Sequence, residues 1–229
     1  MNSLGLLVPT RGRPDNAIRL AHAVREHSDS SFTALMFIVD YDDPEKARYL
    51  EHVPPTAEVH VVPVNGPKRM GPVLNYAVKR TMEDFTHLGF MGDDHLPCTP
   101  AWDKMLVDAL DGQPGVAYGN DLFQGEKLPT AAVISTKIIR SLGYMSPPPL
   151  EHLYVDDFWK ELGHQTKLAY RPDVVIAHLH PAAGKAAHDP GYAMSMSPEQ
   201  THADRARWEE FRAGQWQIDL EKLRRDLRA

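Results

Sequence analysis

Two carboxylates and an imidazole stand next to each other in the segment Gly92-Asp93-Asp94-His95. An apolar run that includes Leu88 and Phe90 precedes this segment, as in a buried strand that ends at the edge of a sheet. Carboxylates grouped at such an edge suit Mg²⁺ or Mn²⁺, which can share its ligand shell with a phosphorylated molecule. Acidic turns after strands are also common because Asp tolerates turn geometry and caps the following helix. This segment alone leaves both interpretations open.

Two further groups of residues could complete such a site. His178 and His180 are two positions apart at the end of a predicted strand, so both can face the same side. Asp156 and Asp157 precede an apolar helical segment, where acidic residues commonly cap the helix. A carboxylate stabilised there also stays ionised near neutral pH, which a general base requires.

The elements that position these residues alternate between strands and helices. In the first half of the chain we predict strands over Leu4–Val8, Phe32–Val39, Glu58–Val64 and Leu88–Met91. The predicted helices between them cover Pro14–His27, Pro44–Glu51 and Pro72–Phe85. Such alternation predicts an α/β fold with a mostly parallel sheet, and sheets of this kind bind ligands at the carboxyl ends of their strands.

Polar clusters occur at four of these predicted strand ends. They are Thr10–Arg13, Asp40–Asp43, Lys68-Arg69 and Asp93–His95. Because the carboxyl ends of parallel strands meet at one edge of the sheet, their coincidence favours a binding site over a set of unrelated turns.

The second half of the chain is less regular. We predict a helix over Pro100–Asp111, a helix from Ser135 to Leu142, a helix that begins near Asp156, and short strands over Val116–Tyr118, Ala131–Ile134 and Val174–Ala177. Residues 198–229 are strongly charged with spaced apolar anchors, which predicts an amphipathic helical extension that packs on the domain or on a second copy in a homodimer. Residues 1–197 are expected to form one domain, with a nucleotide-binding half (1–96) and an acceptor-binding half (97–197).

Composition limits the classes of protein that need to be considered. The 229 residues are 42% hydrophobic and 24% charged, enough for one domain with a sizeable core. The net charge of −6 argues against binding nucleic acid through bulk charge. Cys98 is the only cysteine, so no intrachain disulfide can form. No apolar segment is long enough for a signal peptide or a bilayer span, so a cytoplasmic protein without stable membrane insertion is expected.

The nucleotide-binding signatures of other open sheets are absent, since neither G-x-G-x-x-G nor G-x-x-x-x-G-K-[ST] occurs. The segments VPTRGRPDN, IVDYDDP, KRMGPVLNYA and FMGDDHLPCTPAW, in this order, resemble the GT-A glycosyltransferases, in particular their large inverting family. The resemblance covers most of residues 4–181. It implies a Rossmann-like sheet flanked by helices, a nucleotide-sugar donor and a divalent metal.

The resemblance also implies roles for individual residues. The donor-binding residues would be Pro9, Thr10, Arg11, Arg13, Asp40, Asp42, Arg69 and Asp93. Asp94, His178 and His180 would be metal ligands, with His180 favoured over His178. Asp157 would be the general base that deprotonates the acceptor, with Asp156 as its substitute. The sequence departs from the family's DxD-like motif at Gly92, where a first Asp often stands, and at His95.

The resulting hypothesis is a metal-dependent, inverting glycosyltransferase that moves a sugar from a nucleotide diphosphate donor, preferentially a UDP-sugar, to a hydroxyl acceptor. A glycan, a protein, a small molecule or a modified DNA base are all compatible acceptors. The alternatives are a nucleotidyltransferase that makes a nucleotide-sugar and a non-catalytic module that binds sugar nucleotides or glycans.

Overall fold

A single mixed sheet of eight strands forms the centre of the fold, in the order β3-β2-β1-β4-β7-β6-β8-β5. The structure, a computed structural model, describes residues 3–185, 192–193 and 196–228. The strands are β1 (Leu4–Thr10), β2 (Thr33–Val39), β3 (Ala57–Val61), β4 (His87–Phe90), β5 (His95–Pro97), β6 (Val116–Asn120), β7 (Ala132–Ser135) and β8 (Leu168–His178). The helices are α1 (Pro14–His27), α2 (Lys46–His52), α3 (Met70–Thr81), α4 (Trp102–Ala109), α5 (Thr136–Leu142), α6 (Val155–Gln165), α7 (Pro198–Ala213) and α8 (Gln215–Asp226).

The first four strands are all parallel: β1 pairs with β2 and β4, and β2 pairs with β3. In the second half β7 runs antiparallel to β4 and β6, while β8 is parallel to β6 and antiparallel to β5. The predicted α/β sheet with flanking helices is therefore confirmed, and its parallel part carries the four polar clusters at one edge.

Helices cover both faces of the sheet, which explains the continuous apolar run of β1. Leu4, Leu6 and Val8 pack in one core with residues of α1 and α4. Leu7, whose side chain points to the opposite face, packs in a second core with residues of α3 and α6. Burial on both faces fixes the register of β1 and hence the position of the loop that follows it.

Several predicted elements differ from the observed ones by two to four residues at an end, and two strands differ more. The strand β5 was not predicted because it has only three residues, and it gains its partners only by pairing with β8. The strand β8 begins at Leu168, earlier than the predicted Val174, because the polar residues Arg171 and Asp173 hide its apolar pattern. These two residues form an ion pair with each other at 2.7 Å.

The C-terminal helices α7 and α8 pack on this chain's own core. Their apolar anchors Trp208, Phe211, Trp216, Leu220 and Leu223 are buried with residues of α5 and α6. The Trp216 indole Nε1–H also donates to Glu161 Oε1 at 2.7 Å. Most of the apolar face of the extension is thus covered within one chain. Among the described residues, no helix is both long and apolar enough to cross a bilayer.

Candidate active site

A cleft of 580 Å³ lies at the carboxyl ends of the parallel strands. Eleven of the predicted site residues line it: Pro9, Thr10, Arg11, Arg13, Asp40, Arg69, Asp93, Asp94, Asp156, His178 and His180. Asp42 and Asp157 are not among the lining residues. The sheet edge therefore brings together polar groups that are far apart in the sequence.

Asp93 is held by the loop after β1. Its Oδ2 accepts a hydrogen bond from Thr10 Oγ1 at 2.6 Å, and its Oδ1 lies 3.3 Å from Arg13 Nη1 and 3.4 Å from Asn16 Nδ2. Burial raises the pKa of Asp93 to about 6, in spite of the opposing effect of Arg13 and Thr10. These contacts fix the carboxylate at the junction of β1 and β4.

Arg11 is oriented by two carboxylates at the end of β2. Its Nη1 donates to Asp40 Oδ2 at 2.8 Å and to Asp42 Oδ1 at 2.7 Å. Lys68 also donates to Asp42, and the two cations lower the pKa of Asp42 to about 2. Asp42 is half exposed, whereas Asp40 is nearly buried and lines the cleft. Asp42 therefore supports Arg11 from outside the cleft.

One carboxylate and two imidazoles form a cluster that could hold a metal ion. Asp94, His95 and His178 each offer one ligand atom, and these atoms lie within 4.8 Å of one another. His95 Nδ1 is 3.3 Å from Asp94 Oδ1, and His178 Nε2 is 3.3 Å from Asp94 Oδ2. The two rings stack with their centroids 4.0 Å apart. His180 is not part of this cluster.

The donor set decides which ion fits. A carboxylate oxygen with imidazole nitrogens suits Mn²⁺ better than Mg²⁺, which prefers oxygen ligands. Burial opposes the change, but the two neighbouring histidines hold the pKa of Asp94 well below its usual range. Burial and the charge of His178 lower the pKa of His95, so this ring stays neutral. The residues present are therefore compatible with a transition-metal cation.

Gly92 is glycine because the cluster leaves no room for a side chain there. A Cβ atom at this position would lie 2.5 Å from Asp94 Oδ1 and 3.1 Å from His95 Nδ1. The Gly92 amide donates to His95 Nδ1 at 3.1 Å. A larger residue at position 92, such as the Asp of the family's acidic motif, would therefore collide with Asp94 and press on His95. Gly92 and His95 are linked in this way, since the imidazole occupies the space beside Asp94.

Asp121, which sequence analysis missed, supports the cluster from behind. Its Oδ1 accepts hydrogen bonds from the amides of residues 123, 124 and 125, and its Oδ2 accepts one from Thr130 Oγ1 at 2.8 Å. The same Oδ2 lies 3.5 Å from His178 Nδ1, an ion-pair distance rather than a short hydrogen bond. Burial by itself would lower the pKa of His178, but Asp121 and Asp94 together raise it to about 9. No sequence motif marks Asp121, since the loop it holds has no recognisable pattern.

Tyr192 lies over the metal-ligand cluster, and its hydroxyl donates to Asp94 Oδ2. The Arg13 guanidinium stacks on the Tyr192 ring at 4.0 Å. His180 faces the same ring at 5.1 Å and stacks on Phe123 at 5.5 Å. Both Tyr192 and His180 thus contribute to the wall of the cleft.

The acidic pair at the start of α6 is divided between two environments. Tyr154, in the left-handed region at φ 66°, turns the chain into α6. Asp156 then lines the cleft, whereas Asp157 is exposed, with the charges of Lys160 and Arg212 in its surroundings. Burial, with a smaller contribution from Asp157, raises the pKa of Asp156 to about 6. Of the two carboxylates, Asp156 is the one that a bound molecule can reach.

A second carboxylate that the sequence analysis missed, Asp204, fixes the segment before α6. It is fully buried, and its two oxygens accept hydrogen bonds from the amides of Glu151 (3.2 Å), His152 (2.9 Å) and Leu153 (2.9 Å). Glu151 in turn lies 3.6 Å from Arg69 Nε. The helix α7 therefore positions part of the cleft wall, because His152 and Leu153 both line the cleft.

Comparisons with known proteins place this geometry in a fold family. No protein-family model and no curated protein sequence matches the chain. Solved structures do: S. aureus TarS has a TM-score of 0.60 at 14% identity, over 78% of this chain and 37% of that one. Mannosyltransferase PcManGT from Pyrobaculum calidifontis, in complex with GDP-Man and Mn²⁺, has a TM-score of 0.59 at 11% identity, over 97% of this chain and 73% of that one. Glucosyl-3-phosphoglycerate synthase from Mycobacterium tuberculosis, in complex with Mn²⁺, UDP and phosphoglyceric acid, has a TM-score of 0.59 at 14% identity, over 88% of this chain and 77% of that one.

These neighbours are GT-A glycosyltransferases, and the likeness shows that the chain has their fold. The chain spans little more than a third of the length of the full TarS chain and 59% of a shorter TarS chain solved with UDP. The predicted GT-A architecture is confirmed.

Proposed function

We propose that this protein is a nucleotide-sugar-dependent glycosyltransferase that transfers the sugar to a hydroxyl acceptor with inversion at the anomeric carbon. One observation carries the proposal. A GT-A fold brings a carboxylate–imidazole cluster (Asp94, His95, His178) and a partly desolvated carboxylate (Asp156) into the same cleft. Inverting transfer requires stabilisation of the leaving group and removal of a proton from the acceptor, and the cleft therefore holds candidate groups for both tasks.

The donor end of the cleft combines contacts for a base, a ribose and a diphosphate. Pro9, Arg11 and Asp40 form the part of the rim where the base would bind, and Arg69 offers a positive charge beside it. Asp93, anchored by Thr10, would accept hydrogen bonds from the ribose hydroxyls. Several neighbours were solved with UDP or UDP-GlcNAc, so UDP-sugars are the first donors to test.

Asp94 and His178 would hold the divalent cation, and His95 would be a third donor if its Nδ1 exchanged the Gly92 amide for the ion. The imidazole nitrogens favour Mn²⁺ over Mg²⁺, and two structural neighbours were solved with Mn²⁺. When bound, such an ion stabilises the negative charge that develops on the departing diphosphate. Asp121 would keep the His178 ring oriented, and the Tyr192 hydroxyl, which donates to Oδ2, would orient the Asp94 carboxylate.

Asp156 would act as the general base. In the transfer step the acceptor oxygen forms a bond to the anomeric carbon and gives its proton to the Asp156 carboxylate. The bond from that carbon to the diphosphate oxygen breaks on the opposite face, which inverts the configuration. A pKa of about 6 leaves Asp156 ionised at neutral pH and basic enough to accept the proton. Asp157, which sequence analysis favoured, is turned away from the cleft, and we assign the role to Asp156.

Thermal stabilisation and donor hydrolysis test the proposal together. With Mn²⁺, the melting temperature is expected to rise on addition of one of UDP, GDP or dTDP, and a matching nucleotide-sugar should release diphosphate slowly without acceptor. The Asp94→Ala variant should lose the Mn²⁺-dependent part of the stabilisation. The proposal fails if none of the three nucleotides stabilises the protein and no donor is turned over.

A further inference from the structure

We propose that the acceptor presents its hydroxyl on an apolar, aromatic body, as in an aromatic alcohol, and is not a polyhydroxylated sugar. This inference rests on the proposed glycosyl transfer and names the acceptor class for the same cleft. It starts from an apolar wall that none of the assigned roles uses. The wall consists of Met70, Val73, Phe90, Leu153, Val155 and Trp159, which all line the cleft.

The apolar wall lies beside the proposed base. Trp159 follows Asp156 by one helical turn on α6, so the two side chains are neighbours on the helix surface. Val155, at the start of the same helix, also lines the cleft. The Phe90 ring packs against Trp159 with centroids 5.0 Å apart. Phe90 also ends β4, immediately before the turn that carries Asp94. The wall therefore connects the helix that carries Asp156 with the strand that leads to Asp94.

The surface that a ligand would touch is apolar. Met70, Phe90 and Leu153 are partly exposed, whereas Val73, Val155 and Trp159 are buried behind them. The one polar atom of Trp159, its indole Nε1–H, is already used in a 2.7 Å hydrogen bond to the Met145 carbonyl. An aromatic ring could pack on this surface and displace water from it, which is favourable for apolar area.

Few groups are free to bind the additional hydroxyls of a sugar. In the described part of the chain no side chain hydrogen-bonds the Asp156 carboxylate. Two polar lining residues adjoin this wall in the sequence, His152 before Leu153 and Arg69 before Met70, and Arg69 is already engaged by Glu151. A sugar placed here would lose water from several hydroxyls without replacement, which weakens binding. An acceptor with one reactive hydroxyl avoids that cost.

An acceptor competition tests the inference. With Mn²⁺ and the donor that the hydrolysis assay identifies, benzyl alcohol and methyl β-glucopyranoside are compared by diphosphate release and product mass. We expect kcat/KM for benzyl alcohol to be at least tenfold higher. Equal or faster transfer to the glycoside overturns the inference while leaving glycosyl transfer intact. Absence of diphosphate release under every condition overturns the proposed function, and the acceptor inference with it.

Two aromatic residues allow a matched comparison of variants. Phe90→Ser places a hydroxyl on the apolar wall, whereas Phe123→Ser alters an aromatic residue on the His180 side of the site. The ratio of kcat/KM for benzyl alcohol to that for the glycoside should fall at least tenfold in Phe90→Ser and stay within twofold of wild type in Phe123→Ser. Because a ratio of two acceptors cancels losses in folded enzyme or donor binding, an unchanged ratio in Phe90→Ser contradicts the inference. Phe90→Leu, which keeps the wall apolar, should have a ratio much closer to that of the wild type than Phe90→Ser has.

Discussion

The carboxylate of Asp121 faces the imidazole of His178 at 3.5 Å, while the other ring nitrogen of His178 lies 3.3 Å from Asp94. A carboxylate behind a histidine fixes which ring nitrogen carries the proton and which one can bind a metal. Here Asp121 favours the proton on Nδ1 and leaves Nε2 for the ion. Because three loop amides hold the other oxygen of Asp121, this orientation is built into the loop between β6 and β7.

Asp121→Asn should therefore weaken Mn²⁺ binding. Asn can keep the acceptor for the loop amides, but it places an NH₂ group against His178 Nδ1 and so favours the tautomer that blocks Nε2. Loss of such a support typically costs 10–100-fold in metal affinity. Isothermal titration with Mn²⁺ measures the effect directly. Asp173→Asn, an exposed change elsewhere in the same sheet, serves as the control, and equal affinities in both variants would remove Asp121 from the metal site.

Gly92→Ala should disturb the metal cluster without adding or removing a charge. The new Cβ would lie 2.5 Å from Asp94 Oδ1, closer than atoms can approach, so the carboxylate must turn away. We expect at least a tenfold loss of Mn²⁺ affinity. Gly112→Ala is the control for a destabilising change outside the site: no atom lies within 4 Å of the added Cβ, but the residue is at φ 68°, so this variant should lose stability and keep its Mn²⁺ affinity. Unchanged Mn²⁺ titration of Gly92→Ala would show that Asp94 is not a ligand in its present position.

Asp156→Asn should abolish transfer while retaining donor binding, because the amide cannot accept the acceptor proton. Asp157→Asn is the matched control and should keep most of the activity, since Asp157 does not line the cleft. In the wild type, protonation of Asp156 should make kcat fall as the pH drops through about 6. The opposite pattern, an active Asp156→Asn and an inactive Asp157→Asn, would return the base role to Asp157.

The same substitution should stabilise the fold at neutral pH. The pKa of Asp156 is raised to about 6 in the folded state, so the native protein binds this proton more tightly than the unfolded chain does. Ionisation of Asp156 therefore lowers the free energy of unfolding as the pH rises from about 4 to about 6. We expect Asp156→Asn to raise the free energy of unfolding by about 1 kcal/mol at pH 7.5 and to leave it unchanged at pH 4. The expected gain is smaller than the full effect of the pKa shift because Asp156 is partly exposed. Urea unfolding at both pH values measures the difference, and a loss of stability at pH 7.5 would contradict the desolvation argument.

Asp204→Asn should loosen the wall that α7 holds in place. Asp204 receives three backbone amides as well as Gln200 Nε2 (2.9 Å) and Arg207 Nη1 (3.0 Å), so an NH₂ group in place of one oxygen leaves buried donors unpaired. The expected loss is about 2 kcal/mol in the free energy of unfolding, with a higher acceptor KM. Asp219→Asn on α8, where the carboxylate contacts Tyr144 and Gln215 only through side chains, should cost less than half as much in the same urea titration.

The amino-acid sequence by itself determined the frame of this protein. Apolar runs such as Leu4–Val8 that end at Pro, Gly or Asp are local signals, and they predicted the first strands, the helix α1 and the polar clusters on one rim. The positions of most of the proposed donor-binding residues could be predicted from these strands, because the loops after parallel strands all lie at the same edge of the sheet.

Only the tertiary structure decided how the site is completed. Whether Asp156 or Asp157 faces the cleft depends on the turn at Tyr154, and the partnership of His95 with Asp94 depends on the space left by Gly92. Asp121 and Asp204 act on residues more than fifty positions away, through contacts that no local pattern encodes. Periodicity and motif spacing indicate which face of a segment is buried. A hydrogen bond between distant segments forms only after the chain has packed, and the contacts of Asp121 and Asp204 are of this kind.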